Sequence, residues 1–190
     1  FGPNLTVRGG SATIGASPLV NRGLMTCDVA DGSLVVESPQ FSNEGRMSAL
    51  SGGGLFVGAA TNGASYNVVW NNAASGTISA TDATVKFGGQ WHNDGVIDVV
   101  NSTLQFGGQF ATAGIGTLHR TGGTIRIYGD LDNTGDTLSF NTSTGSWFLE
   151  GGSVKGGTLR FADGQCLRIV DNTANTLDGV TIDSDSPILL

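Results

Sequence analysis

Short runs in which every second side chain is apolar recur along this chain, and they return in a constant order. In Ile97-Asp98-Val99 and Thr103-Leu104-Gln105-Phe106 the alternation is strict, the period of two that marks a strand with one buried face. The first run reappears as Met25/Cys27, Met47/Ala49, Ile78/Ala80, Ile97/Val99, Leu118/Arg120, Leu138/Phe140 and Leu159/Phe161, with Arg120 the misfit. The second reappears as Leu34/Val36, Leu55/Val57, Val85/Phe87, Leu104/Phe106, Ile125/Ile127, Trp147/Leu149 and Leu167/Ile169. A third marker precedes each pair: a large apolar residue, then Asn two places on, then Gly. Leu19 with Asn21, Phe41 with Asn43, Trp70 with Asn72, Trp91 with Asn93 and Leu131 with Asn133 fit, while Phe110 is followed by Thr112. From Leu19 to Leu131 the gaps between markers are 22, 29, 21, 19 and 21 residues, and Val154 and Leu177 extend the series more loosely.

A unit this short cannot bury its own apolar face, but stacked units share one continuous interior. The pattern therefore predicts an all-β fold, a parallel β-helix or β-solenoid of about 19–23 residues per coil. Right-handed connections are expected from the chirality of parallel crossovers. Helix is expected to be absent or nearly so, because no window carries apolar residues at helical spacing with caps. Residues 1–190 read as a single solenoid segment.

Stacking assigns the recurrent residues their work. Asn21, Asn43, Asn72, Asn93 and Asn133 are expected to lie above one another as an amide ladder. Phe41, Trp70, Trp91 and Phe110 are expected to stack in the core. The gap of 29 residues implies a loop leaving the coil at Gly58-Ala-Ala-Thr-Asn-Gly-Ala-Ser65, with a smaller bulge at Asn141–Ser146. Loops on a rigid scaffold are where recognition concentrates. The chain opens at Phe1-Gly-Pro without signal-peptide features and closes at Pro187-Ile-Leu-Leu190. Neither end shows a polar cap, so further coils of a longer polypeptide, or copies stacked end to end, are expected partners.

Composition narrows the partners. The chain has 31 Gly but only 4 Pro, which suits many tight turns between strands rather than a Pro-rich linker. A net charge of −7 opposes binding to phosphate backbones, so nucleic acid is excluded as a partner. No apolar run approaches the roughly 18 residues of a membrane span. With coils stacked about 4.8 Å apart, Cys27 and Cys166 stand on the order of 30 Å from each other, beyond the roughly 4.4–6.8 Å a disulfide spans. Both read as free and packed inside.

Candidate chemistry is sparse. The outward row of the first run carries Ser79, Asp98, His119, Ser139 and Arg160 on successive coils, so Asp98, His119 and Ser139 are expected to align. A flat strand face offers them neither a close hydrogen-bonded base nor an oxyanion hole. The second run presents Lys86, Gln105, Arg126 and Phe148, a basic and aromatic stripe able to meet glycans or simply to stay solvated. Asp130-Leu-Asp132-Asn-Thr-Gly-Asp136 and Asp178 with Asp183-Ser-Asp185 gather carboxylates of the kind Ca2+ takes, although they match no calcium-loop pattern. Calcium is the one ion with a donor set, and no cofactor is expected. His92 and His119 do not have metal-site spacing.

The turns Phe87-Gly-Gly-Gln-Trp91 and Phe106-Gly-Gly-Gln-Phe110, with Trp91-His-Asn93-Asp-Gly95-Val-Ile97, resemble the repeats of large bacterial surface and secreted β-helix proteins. These include filamentous-haemagglutinin-like and autotransporter-passenger repeats and very long extracellular repeat proteins of planctomycete-type bacteria. The resemblance covers Leu19 to Ile182 and bears on architecture more than activity. It implies export to the cell surface or medium and a non-catalytic structural or adhesive role, with surface glycans as candidate ligands. The alternative it leaves is a polysaccharide-active β-helix of the pectate-lyase type, or a carbohydrate-binding one. The enzyme would need Asp98, His119, Arg126 and Arg160 to converge.

Overall fold

The structure, a computed structural model, describes residues 1–59 and 67–184. Apart from Gly58 and Ala59, the loop expected at 58–65 lies outside the described residues, as do Asp185 and 187–190. The chain forms an all-β parallel solenoid of about eight coils, about 21 residues to the turn. Successive coils stack their strands into parallel sheets, so an interior strand pairs with its counterparts one coil before and one coil after. This is why an apolar column in the sequence becomes a column in space.

The first sheet has six strands, from Thr6–Arg8 to Thr117–Thr121. The second has eight, from Ser11–Ile14 to Leu167–Ile169, and the third has eight, from Leu19–Asn21 to Thr176–Asp178. Registers place Met25 on Met47, Met47 on Ile78, Ile78 on Ile97 and Ile97 on Leu118. The second column likewise runs Val36, Val57, Phe87, Phe106, Ile127, Leu149, Ile169. Met25, Met47, Ile78, Ile97, Leu104 and Ile125 are wholly buried. Each such side chain contributes about 1.5–3 kcal/mol relative to exposure, which is the force that sets the register.

The corner between the first and second sheets is turned by left-handed residues, Asp31, Ser51, Asp82 and Asn101 at φ between +49° and +59°. Asn and Asp adopt that conformation at small cost. Their backbones bond upward, Gly52 N to Asp82 O at 2.6 Å and Asn101 N to Thr121 O at 2.8 Å.

Two features depart from the sequence pattern. A short 3₁₀ turn occupies Thr112–Ile115, where the coil carries Thr in place of the ladder Asn. The first column also breaks after Thr121. Leu138/Phe140 and Leu159/Phe161 do not continue it but form a separate three-stranded sheet of Thr137–Phe140, Thr158–Phe161 and Thr181–Ser184. Arg120 explains the break. It stands opposite Val99, at a position facing the core. A guanidinium there must be hydrogen-bonded or pay a large desolvation penalty. Its Nη2 donates to Gly123 O at 2.7 Å and its Nη1 reaches Thr144 O at 3.5 Å, in the Asn141–Ser146 bulge. Its buried Nε has no partner. The bulge gives way to the arginine, and strand pairing resumes one coil later.

Candidate functional site

The ladder residues lie inside. Asn21, Asn43, Asn72, Asn93 and Asn133 are buried, and Nδ2 of each of the first three donates to Oδ1 of the next at 2.7–2.8 Å. Asn93 donates to Ile115 O at 2.6 Å, and Thr112 Oγ1 donates to Asn133 Oδ1 at 2.7 Å. The 3₁₀ turn thus replaces one amide by a carbonyl and a hydroxyl without leaving the column unsatisfied. Trp70 stacks on Trp91 at 5.8 Å between centroids, and Trp91 on Phe110 at 4.6 Å. Phe41 lies in register with Trp70 and is buried. Both indole N–H groups are occupied, by Gly88 O and Gly107 O. These rings are buried in the core. Cys27 and Cys166 are free and buried.

The outward row expected to align Asp98, His119 and Ser139 is interrupted. Asp98 stands opposite His119 in the first sheet, but Ser139 pairs with Arg160 in the separate sheet, because Arg120 breaks the column between them. Arg160 in turn binds Asp183 at 2.9 Å. Asp98, His119, Arg126 and Arg160 occupy three different sheets. On the second sheet Lys86 lies 5.1 Å from the Phe56 ring centroid, and Arg126 and Arg168 flank Phe148 at 5.1 and 5.7 Å. Arg126 also pairs with Glu150, whose hydrogen bond raises the guanidinium pKa above its usual value. That stripe is stabilised internally by cation–π contacts and the ion pair.

The outer face of the third sheet is different. It carries adjoining hollows of about 630 Å³, between Val20, Gln40, Val69, Asn71, Gln90 and His92, and about 550 Å³, between Gln109, Ala111, Asp130, Asp132, Ser153 and Lys155. A third, of about 410 Å³, follows the corner towards the second sheet, lined by Asn67, Gly89, Gly108, Tyr128 and Gly129. Gln90 borders all three hollows, and Gln109 and Asp130 border the latter two. The trench has a backbone cause. A Cβ on Gly108 would lie 2.0 Å from Gly89 O, and one on Gly129 would lie 2.2 Å from Gly108 O. The corner backbones are packed too closely to carry side chains, so the floor is bare.

Its walls carry directional polar groups. Gln90 Nε2 donates to Gln109 Oε1 at 2.9 Å, and Ser153 Oγ donates to Asp130 Oδ1 at 2.7 Å. His92 Nε2 meets Asp94 Oδ1 at 2.7 Å on the rim. Tyr128 is 39% exposed; partial burial, then its hydrogen bond with Glu150, raises its phenol above the ordinary value, so it is an O–H donor at neutral pH. Hydrogen bonds from Thr134 hold Asp132 below the usual carboxylate range.

This face does not stand out in the sequence, because the marker strand reads as core and the outward rows of Asp98 and Lys86 belong to the other two runs. The signal was available: Gln immediately before the marker in three coils, Gln40, Gln90 and Gln109, preceded in the latter two by Gly-Gly. Among the described residues no group of three or more His, Cys, Asp or Glu is arranged to hold a metal, and no helix is long and apolar enough to cross a membrane. Set against known proteins, the chain matches no protein-family model, no curated protein and no solved structure.

Proposed function

We propose that the chain is a rigid, non-catalytic structural or adhesive segment of an extracellular bacterial surface or filament-forming β-helix protein. The supporting observation is the repetition of the same bonds from coil to coil. The amide ladder runs Asn21, Asn43, Asn72, Asn93 and the aromatic stack runs Trp70, Trp91, Phe110, each residue satisfied by the coil above and below. Such nearest-neighbour contacts work for any number of coils. They resist bending because a bend would break hydrogen bonds and stacking on one side. A closely packed apolar core suits a spacer that holds its outer faces at fixed distance.

Electron microscopy of the purified protein tests this reading. Straight rods, several copies long and of constant width, support end-to-end assembly through the solenoid axis. Particles that stay one copy long at every concentration count against it.

A further inference from the structure

We propose that the corner trench beside the third sheet is a binding site for an uncharged polysaccharide chain lying along the solenoid axis. The walls combine one exposed aromatic ring, Tyr128, with planar amide and carboxylate groups from Gln90, Gln109 and Asp130, and Asn67 stands at the same trench. A sugar ring presents an apolar C–H face bounded by hydroxyls, and this lining offers a partner for each part: a ring to cover the face, and side chains that both donate and accept for the rim. Gln90 and Gln109 spend one donor and one acceptor on each other, and each amide has further capacity. Asp130 gives Oδ1 to Ser153 and keeps Oδ2.

Charge selects the class of ligand. Asn67, Gln90 and Gln109 are uncharged, Asp130 is anionic, and the whole chain carries −7, so an acidic glycan or a phosphate polymer meets a repulsive field. Period selects the shape. Groups repeat once per coil, about 4.8 Å apart, whereas an extended peptide advances about 3.4 Å per residue and would drift out of phase. An extended chain of hexose rings repeats on the scale of the coil.

The test is calorimetric titration of the intact protein with cellohexaose, xylohexaose and mannohexaose, with hexagalacturonate as the acidic comparison. Saturable binding of at least one uncharged oligosaccharide is expected, weakened about tenfold by Tyr128→Ala, through loss of the stacking ring. Tyr128→Phe is expected to retain most of the affinity, because the ring remains. Gln109→Ala, at an exposed position, is expected to weaken binding about threefold, and Asp98→Ala, on the first sheet, to leave it unchanged. Circular dichroism and melting curves identify any variant that fails to fold, and Gln109→Ala then carries the test. The proposal is overturned if no uncharged oligosaccharide binds the folded protein, if only hexagalacturonate binds, or if binding survives both Tyr128→Ala and Gln109→Ala undiminished.

Discussion

Between Leu19 and Phe110 the coils place like upon like: Asn on Asn at 2.7–2.8 Å, tryptophan on tryptophan at 5.8 Å, and one first sheet running without interruption. From Arg120 onward the same alternation is written in the sequence, but the structure is assembled differently. Asn133 accepts from a threonine hydroxyl and donates to backbone carbonyls of Gly156 and Thr158 at 3.3 and 3.1 Å. The stacked aromatics move to another sheet, Phe140 on Phe161 at 5.0 Å, with Trp147 edge-on to Phe140 at 83°. The two regions are alike in coil length and core character. They differ in whether each position repeats the chemistry of the coil below. Where it does, the column propagates; where one side chain is incompatible with burial, the sheet ends and restarts.

Four measurements test that contrast. The largest effect is expected from Trp91→Ala, since Trp91 packs against Trp70, Phe87, Phe106 and Phe110. Its loss should cost about 3–5 kcal/mol and lower the melting temperature by about 10 °C, read in a thermal melt. A change of only a degree or two would mean that the regular region does not depend on its stack.

Next comes Asn72→Ala. It removes the acceptor for Asn43 and the donor to Asn93, two buried partners, at a cost of about 2–3 kcal/mol in urea unfolding. The same substitution at Thr112, where the ladder is already interrupted, should cost less than half as much.

Arg120→Val reverses the sign. It replaces a guanidinium whose buried Nε lacks a partner by the residue type found at Val99, one coil earlier. A gain of about 1–2 kcal/mol is expected. Destabilisation instead would show that the bonds to Gly123 and Thr144 outweigh the cost of burial.

The smallest effect concerns Asp132. Thr134 hydrogen bonds lower its folded pKa, so its stabilisation is present above the unfolded value of about 3.9 and disappears as pH falls through the lower folded value. Stability–pH curves of the protein and of Asp132→Asn should differ above about pH 4 and converge in stronger acid. Parallel curves at every pH would remove Asp132 from the account.

Much of this is legible in the sequence. Met25, Ile78 and Ile97 read as inward because they open the recurring pairs Met25/Cys27, Ile78/Ala80 and Ile97/Val99, and Asn72 and Trp91 read as stacked because their kind recurs once per coil. The end of the first sheet was only half legible. Arg120 stood out as a misfit, yet nothing local says that its guanidinium would turn to Gly123 and Thr144 and divide the column. The trench was not legible at all. It exists because Gly89, Gly108 and Gly129 fall over one another, and because Tyr128 lines the same hollow as Gln90 and Gln109 of earlier coils.

The coil, its three strands and most of the side chains that enter the core are written in the sequence, because they follow from the period of two and from residues that recur about every 21 positions. Tertiary structure alone decided where the sheets stop and what the outside presents. Register between coils is settled by contacts between residues some twenty positions apart. The hollow bordered by Gln90, Gln109, Asp130 and Tyr128 depends on how closely the corner backbones can stack before a side chain no longer fits.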